Sequence, residues 1–120
     1  MHEMGIVAEA HAIARAAADA RGGGPLESVT LVVGELSAVE PDLLRFAWQA
    51  LVAGGPDERA RLVVEFRRAR QLCGACGEIS ERAPGSWLRL CPRCGRALTV
   101  EGGDELDVRA VSFSERTVTA

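Results

Sequence analysis

Four cysteines occur as two matched pairs, and their spacing is the strongest chemical signal in the chain. Cys73-Gly-Ala-Cys76-Gly and Cys91-Pro-Arg-Cys94-Gly are both C-x-x-C-G motifs, separated by the fourteen residues 77–90. In such a motif two thiolates converge at a tight turn, and the glycine can adopt the positive φ that the turn requires. Four thiolates in a tetrahedron select Zn²⁺ and leave no position open for a substrate. The sequence therefore predicts a structural zinc site with the ligands Cys73, Cys76, Cys91 and Cys94.

Disulfides and a redox-active C-x-x-C are the alternative uses of these cysteines. We expect neither, because the motif is doubled and the chain opens on His2 and Glu3, unlike a secretory signal with a basic start and an apolar run. The segment between the pairs is rich in Gly, Pro and Arg and poor in branched aliphatic residues, so it cannot fold by burial alone. Metal binding, worth on the order of 10 kcal/mol, would supply the missing stability, and chelation should unfold this segment first.

The amino terminus carries a second and weaker metal signal. With His2 directly after Met1, the α-amine, a backbone amide nitrogen and the imidazole can close fused chelate rings around one ion. Nitrogen-rich, square-planar sites suit Ni(II) and Cu(II) better than Zn(II). An exposed histidine without a metal role is the ordinary alternative, so this feature alone does not decide between the two.

The remaining residues predict a small fold that would hold these groups. Apolar residues recur at helical spacing over 6–17, and a second helix is predicted over 41–51, with Pro41 in its first turn. Alternating apolar residues predict strands over 28–36, 62–66 and 106–113. The predicted fold class is therefore α+β, with a small three-stranded sheet, two helices and an inserted zinc-ribbon module.

Composition divides the chain into two units. Residues 1–70, completed by 99–120, are predicted to form the α/β domain that includes the amino-terminal metal site. Residues 71–98 are predicted to form the inserted zinc-binding module, because both cysteine pairs and few core-forming residues lie there.

Four further aromatic or histidine side chains invite an assignment. Trp48 and Phe46 lie in the apolar pattern of the second helix and are predicted to be core residues. His11 lies nine positions after His2, which is not a same-face helical spacing, so we expect a solvated position rather than a shared metal site. Trp87 either packs over the cysteine segment or contacts a partner.

The composition excludes several kinds of protein. All 14 basic side chains are Arg, which rules out a Walker A motif, a Schiff-base lysine and a lysine general base. A site closed by four cysteines has no position for an activated water, and the two His residues belong to no evident Ser-His-Asp or Cys-His set. No apolar run reaches the roughly 18 residues of a membrane span. We therefore expect a cytoplasmic protein without catalytic activity.

The basic character of the cysteine segment favours one alternative function, a zinc ribbon that binds nucleic acid. Residues 67–96 contain seven Arg and two Glu, a formal charge of +5, which four thiolates and one Zn²⁺ would lower to about +3. The rest of the chain carries −8, which repels a phosphate backbone, and Trp87 is the segment's only aromatic residue for stacking on bases. Nucleic-acid binding therefore ranks second, and an acidic protein is another partner that the basic surface would fit.

Several separated motifs, in order, resemble the HypA/HybF family of hydrogenase-maturation proteins. They are the Met-His-Glu start with its helix, Gly34-Glu35-Leu36-Ser37-Ala38-Val39, the helix over 41–51, the doubled C-x-x-C and Gly103-Asp104-Glu105-Leu106-Asp107-Val108. The resemblance spans nearly the whole chain. It implies a nickel metallochaperone with Zn²⁺ as a structural cofactor and Ni²⁺ as cargo.

The same resemblance implies a nickel site and partners. In the family, nickel is held by the terminal amine, the His imidazole and backbone nitrogens of the Met-His-Glu start, here Met1, His2 and Glu3. A carboxylate just before the second helix is also implicated, and Glu40 occupies that place, where a helix cap is the alternative role. The implied partners are a HypB-type GTPase and the large subunit of a [NiFe] hydrogenase. Relatives also supply urease, so the client enzyme stays open.

Overall fold

The first element is a helix that begins at the chain's second residue. The computed structural model describes residues 2–81 and 89–115, and its helix α1 spans His2–Ala20. This helix starts before the predicted range of 6–17, because Glu3 continues the buried face one turn upstream of Val7. The other buried residues of α1 are Ala10, Ala14 and Ala18. His2 and Glu3 therefore belong to the first helical turn rather than to a loose terminus.

Six strands follow this helix within the described residues. They are β1 Gly23–Gly34, β2 Arg61–Arg67, β3 Arg70–Cys73, β4 Gly77–Ile79, β5 Thr99–Glu101 and β6 Leu106–Glu115. The main sheet has the order β2-β1-β6, with β2 parallel and β6 antiparallel to β1. The three predicted strands are confirmed, although β1 begins earlier than expected and its predicted end lies in a short 3₁₀ helix, Glu35–Ser37. Val29, Leu31 and Val33 alternate along β1 and form the centre of the core.

Helix α2, Pro41–Val52, supplies the crossover that the parallel pairing of β1 and β2 requires. Trp48 is buried, as predicted, and its Nε1 donates a hydrogen bond to the carbonyl oxygen of Ala60 at 2.9 Å. Phe46 is 67% exposed, so its prediction as a core residue is wrong. Residues two positions apart in a helix point about 200° apart around its axis. Phe46 therefore lies on the face opposite Trp48, together with the exposed Leu43.

The cysteine segment forms a second small sheet. Its strand order is β4-β3-β5, and both pairings are antiparallel. The sheet runs from Arg70 to Glu101, which pair with each other, and the predicted limits of 71 and 98 lie just inside it. We call residues 70–101 the cysteine module. Two helices, a three-stranded sheet and this insertion confirm the predicted α+β class.

The junction between the two sheets is built on Gly34 and Glu35. A Cβ on Gly34 would lie 2.2 Å from the carbonyl oxygen of Gly103, so only glycine fits where the two chain segments cross. The Glu35 carboxylate accepts a hydrogen bond from the backbone N–H of Ala69 at 2.9 Å and lies 3.4 Å from the Arg89 guanidinium. The junction therefore ties the end of β1 to the segments on both sides of the cysteine module.

A buried carboxylate joins α1 to the loop before β2. Asp57 is 3% exposed, and it accepts hydrogen bonds from the Leu26 N–H at 2.8 Å and from Arg15 at 3.0 Å, while its Oδ2 lies 2.8 Å from His11 Nε2. The His11 ring also meets the Trp48 ring edge to face. The prediction that His11 is a solvated position is therefore wrong, because a residue distant in sequence provides its partner.

Neither described helix combines the length and the apolar character needed to cross a membrane.

Candidate metal centres

Each cysteine pair lies on a tight turn whose geometry follows from its sequence. Cys73 ends β3 and Gly77 begins β4, so the first motif is the turn of a hairpin. In the second motif the Gly95 N–H donates to the carbonyl oxygen of Cys91 at 2.8 Å, and the Cys91 N–H donates to that of Arg96 at 2.7 Å. Gly77 and Gly95 have φ values of 83° and 78°, as the motif predicts. These turns aim the four thiols at one another.

The four sulfur atoms fit a tetrahedral zinc ion. The Sγ atoms of Cys73, Cys76, Cys91 and Cys94 all lie within 4.8 Å of one another, and Cys73 and Cys94 are 3.5 Å apart. Tetrahedral zinc with Zn–S bonds of about 2.3 Å requires sulfur atoms about 3.8 Å apart. No pair is bonded as a disulfide. The arrangement is therefore a four-cysteine metal site of the kind that zinc occupies.

The electrostatics of the cluster also favour a cation. Backbone N–H groups of Ala75 and Cys76 lower the pKa of the Cys73 thiol to about 6. Hydrogen bonding with Cys94, together with burial, raises the pKa of the Cys76 thiol to about 12. The Cys76 thiol therefore does not ionise at neutral pH unless a cation balances its charge. Metal binding at this site should release the Cys76 proton.

The predicted nickel ligands lie at the start of α1. The His2 side chain is 59% exposed, whereas the neighbouring Glu3 side chain is only 10% exposed. The His2 Nδ1 atom lies 3.6 Å from a Glu3 carboxylate oxygen, so the structure brings these two side chains together. Met1, the third predicted residue, lies outside the described residues, as does Trp87.

Glu40, the fourth predicted nickel residue, lies at the start of α2 rather than of α1. It is the N-cap residue of α2, and its carboxylate oxygen accepts the Asp42 N–H at 3.4 Å. Within residues 2–81 and 89–115, the four cysteines form the only group of three or more potential metal ligands whose ligand atoms lie within 4.8 Å of one another. The structure therefore gives Glu40 the capping role that the sequence left open and does not group it with His2 and Glu3.

Two structurally important residues lie beyond the predicted sites. Asp57 has no local sequence signal, because its partners are on α1 and β1. Glu35 could have been noticed, since it lies within the Gly34-Glu35-Leu36 motif that carries the family resemblance. Its contact with Ala69 becomes visible only when the two sheets are assembled.

Comparison with known proteins identifies the family. The family model described as "Hydrogenase/urease nickel incorporation, metallochaperone, hypA" matches residues 1–113. The chain belongs to the HypA family. HypA proteins are metallochaperones rather than enzymes, and membership connects the chain with nickel incorporation and hydrogenase maturation.

Curated HypA relatives match over nearly the full chain. The hydrogenase maturation factor HypA of Chlorobium limicola is 35% identical over 117 residues, covering 96% of this chain and 98% of the relative. The corresponding factor of Chlorobaculum tepidum is 37% identical over 114 residues, covering 94% and 99%.

Solved HypA structures share the fold. The solution structure of the nickel metallochaperone HypA from Helicobacter pylori matches with a TM-score of 0.62 and 18% identity, covering 95% of this chain and 98% of that one. A second solution structure of a HypA protein matches with a TM-score of 0.63 and 19% identity, covering 97% and 98%. At these identities the likeness concerns the HypA fold alone.

Proposed function

We propose that this protein binds Ni(II) at its amino terminus and delivers it for [NiFe]-hydrogenase maturation, with urease as a second client, while Zn²⁺ at the four cysteines is structural. The family match over residues 1–113 carries the proposal. It is supported by an exposed His2 on the first turn of α1 and by a separate, closed sulfur site. Two sites with different donors suit two metals with different tasks.

The proposed nickel ligands are the Met1 amine, the His2 imidazole and backbone nitrogens of the Met1-His2-Glu3 start. Ligation through an amide nitrogen requires that the amide lose its proton. The first N–H groups of an α-helix have no acceptor within the helix, so this loss breaks no helical hydrogen bond. The beginning of α1 is therefore a favourable place for such ligands.

Local charge tunes this site in two directions. The positive end of the helix dipole favours an anionic, deprotonated amide but opposes the approaching cation. The largely buried Glu3 carboxylate, 3.6 Å from His2 Nδ1, offsets that repulsion. Because ligation releases protons, nickel affinity should fall as the pH falls, which makes the cargo releasable.

Glu40 is the more distant nickel candidate. Its carboxylate caps α2 through Asp42, so a nickel role requires that it leave this cap. Glu40→Gln retains an oxygen that can cap the helix but removes the charge. Unchanged nickel affinity in this variant would remove Glu40 from the proposal, and a loss would retain it.

The proposed partners are a HypB-type GTPase and the large subunit of a [NiFe] hydrogenase, in the cytoplasm. The nucleic-acid alternative gains no support from the arginines of the cysteine module. Arg70 pairs with Glu78 and Glu101, and Arg93 pairs with Glu81, so intramolecular carboxylates neutralise part of the basic surface.

Nickel titration of the zinc-loaded chain tests the proposal. The chain with a free Met1 amine and its His11→Gln control should both bind nickel, because His11 is engaged with Asp57. A chain with extra residues before Met1, and His2→Ala, should both lose most of the affinity. Equal nickel binding by all four proteins would show that the terminus is not the site. X-ray absorption of the loaded native protein should show nitrogen neighbours, and a shell dominated by sulfur would contradict the proposal.

A further inference from the structure

A groove between α1 and β6 has no part in the proposed metal chemistry. Its volume is about 210 Å³, and Leu31 of β1 lies at its base. Ile13 and Leu106, which line it, are 48% and 39% exposed although both are aliphatic. The acidic Glu9 and Asp107 also line it and are exposed. The groove therefore combines uncovered apolar surface with a negative rim.

The groove follows the side of α1 that carries His2. Ile6, Glu9 and Ile13 come four, seven and eleven residues after His2, a spacing that aligns side chains in one row along a helix. This row lies beside the buried row that begins with Glu3 and Val7. A chain lying in the groove would therefore lead along α1 to its first turn.

The other wall of the groove is the edge of the main sheet. Among the described strands, β6 pairs with β1 alone. Alternate N–H and C=O groups of an edge strand point outward and can hydrogen bond to another extended chain. A cavity of about 210 Å³ accommodates one or two side chains but not a helix roughly 10 Å wide. The occupant that fits is an extended segment.

We propose that this groove docks an extended segment of a partner protein in which aliphatic residues alternate with Lys or Arg. The aliphatic side chains would cover Ile13 and Leu106. The basic side chains, which point to the other face of the added strand, would meet Asp107, and the backbone would add a strand beside β6. The inference rests on the proposed function in one respect: a segment docked here would end beside His2, where cargo is exchanged.

The probe is the peptide Lys-Val-Lys-Val-Lys-Val-Lys, titrated into zinc-loaded, ¹⁵N-labelled full-length protein. Backbone resonances of Ile6, Ile13 and residues 106–108 should shift. The charge-reversed peptide Glu-Val-Glu-Val-Glu-Val-Glu should leave them in place. Equal binding of both peptides, or shifts confined to α2 or the cysteine module, would overturn the proposal.

Matched variants separate groove binding from general attraction to an acidic protein. Asp107→Asn should weaken peptide binding about twofold, the value expected for losing one exposed ion pair. Ile13→Ser should weaken peptide binding further. Phe46→Ser removes a more exposed apolar residue, on α2 and outside the groove, and should not weaken it. An equal effect of Ile13→Ser and Phe46→Ser would contradict a specific groove.

Backbone pairing is tested with two N-methylated versions of the peptide, methylated on alternate amides in opposite registers. One register should bind and the other fail, because only one set of amides faces β6. Equal affinity of the two would overturn strand addition.

Nickel binding separates the docking proposal from the proposed function. The nickel affinity of Ile13→Ser should equal that of the native chain. Nickel binding at His2 without peptide binding would refute docking alone, and the reverse result would refute the proposed function alone.

Discussion

The buried carboxylate of Asp57 offers a quantitative test of how α1 is held in place. Asp57→Asn preserves size and can still accept the Leu26 N–H, but it removes the negative charge facing Arg15 and His11. Because Asp57 is 3% exposed, the lost interaction is poorly screened by water. We expect the free energy of unfolding to fall by about 2–4 kcal/mol. Typical domain stabilities are roughly 5–15 kcal/mol, so the loss should be easy to measure.

Asp19→Asn is the matched control, because Asp19 is the other carboxylate bound to Arg15 and its side chain is 57% exposed. An exposed pair of this kind contributes about 0.5 kcal/mol. Urea unfolding of zinc-loaded protein at pH 7 can be followed by Trp48 fluorescence in a Trp87→Phe background, which leaves one tryptophan. Equal costs for the two variants would refute the reasoning.

The pH dependence gives an independent check on Asp57. Burial alone would raise its pKa, but the Leu26 N–H, His11 and Arg15 together outweigh burial and lower the pKa below its usual range. A carboxylate whose pKa is lower in the folded state stabilises the fold fully above its unfolded pKa of about 3.9. That contribution disappears as the pH falls through the folded pKa. The difference in the free energy of unfolding between the native chain and Asp57→Asn should therefore persist from pH 7 to about 5 and shrink below about 4.

Three further predictions concern the metal module, the junction and the core. Removal of zinc by a strong chelator should abolish amide protection in the cysteine module while α1 and α2 keep theirs, as hydrogen exchange would show; simultaneous loss would contradict separate stabilisation. Gly34→Ala should destabilise the chain by several kcal/mol in urea, since its Cβ would lie 2.2 Å from Gly103, whereas Gly74→Ala, with no atom within 4 Å, should be nearly neutral. Trp48→Phe should cost about 1–3 kcal/mol by thermal unfolding, through its lost hydrogen bond and volume, whereas Phe46→Ser should change stability by less than about 0.5 kcal/mol.

The sequence predicted correctly those features whose determinants lie within a few residues of one another. The cysteine pairs could be assigned because each C-x-x-C-G motif specifies its own turn, and the structure brings all four sulfur atoms together. The spacing of Phe46 and Trp48 places them about 200° apart on α2, so they could not both face the core, and the prediction overlooked this. Apolar residues on both faces of the helix left open which side packs against the sheet. His11 was misassigned because its partner Asp57 lies 46 residues away.

The amino-terminal site illustrates a second limit. The spacing of Ile6 and later apolar residues indicates a helix, but polar His2 and Glu3 carry no apolar signal, so the start of α1 could not be placed from periodicity. The family resemblance supplied the predicted nickel ligands, which residue chemistry alone left undecided. For Glu40 the position before Pro41 indicated the capping alternative, because a cap such as the bond to Asp42 depends only on local backbone geometry. A nickel role for Glu40 would require contacts that the local sequence does not specify.

The position of the cysteine module between β2 and β6 has a consequence for the order of folding. The two strands are separated by 38 residues, and closing so long a loop costs conformational entropy before β6 can join β1. Once β3 and β5 have paired, only six residues outside the module remain flexible in that loop. The closure cost falls by about 1.5 kcal/mol on a logarithmic length scale. A metal ion acquired early therefore shortens the search by which the last strand completes the main sheet.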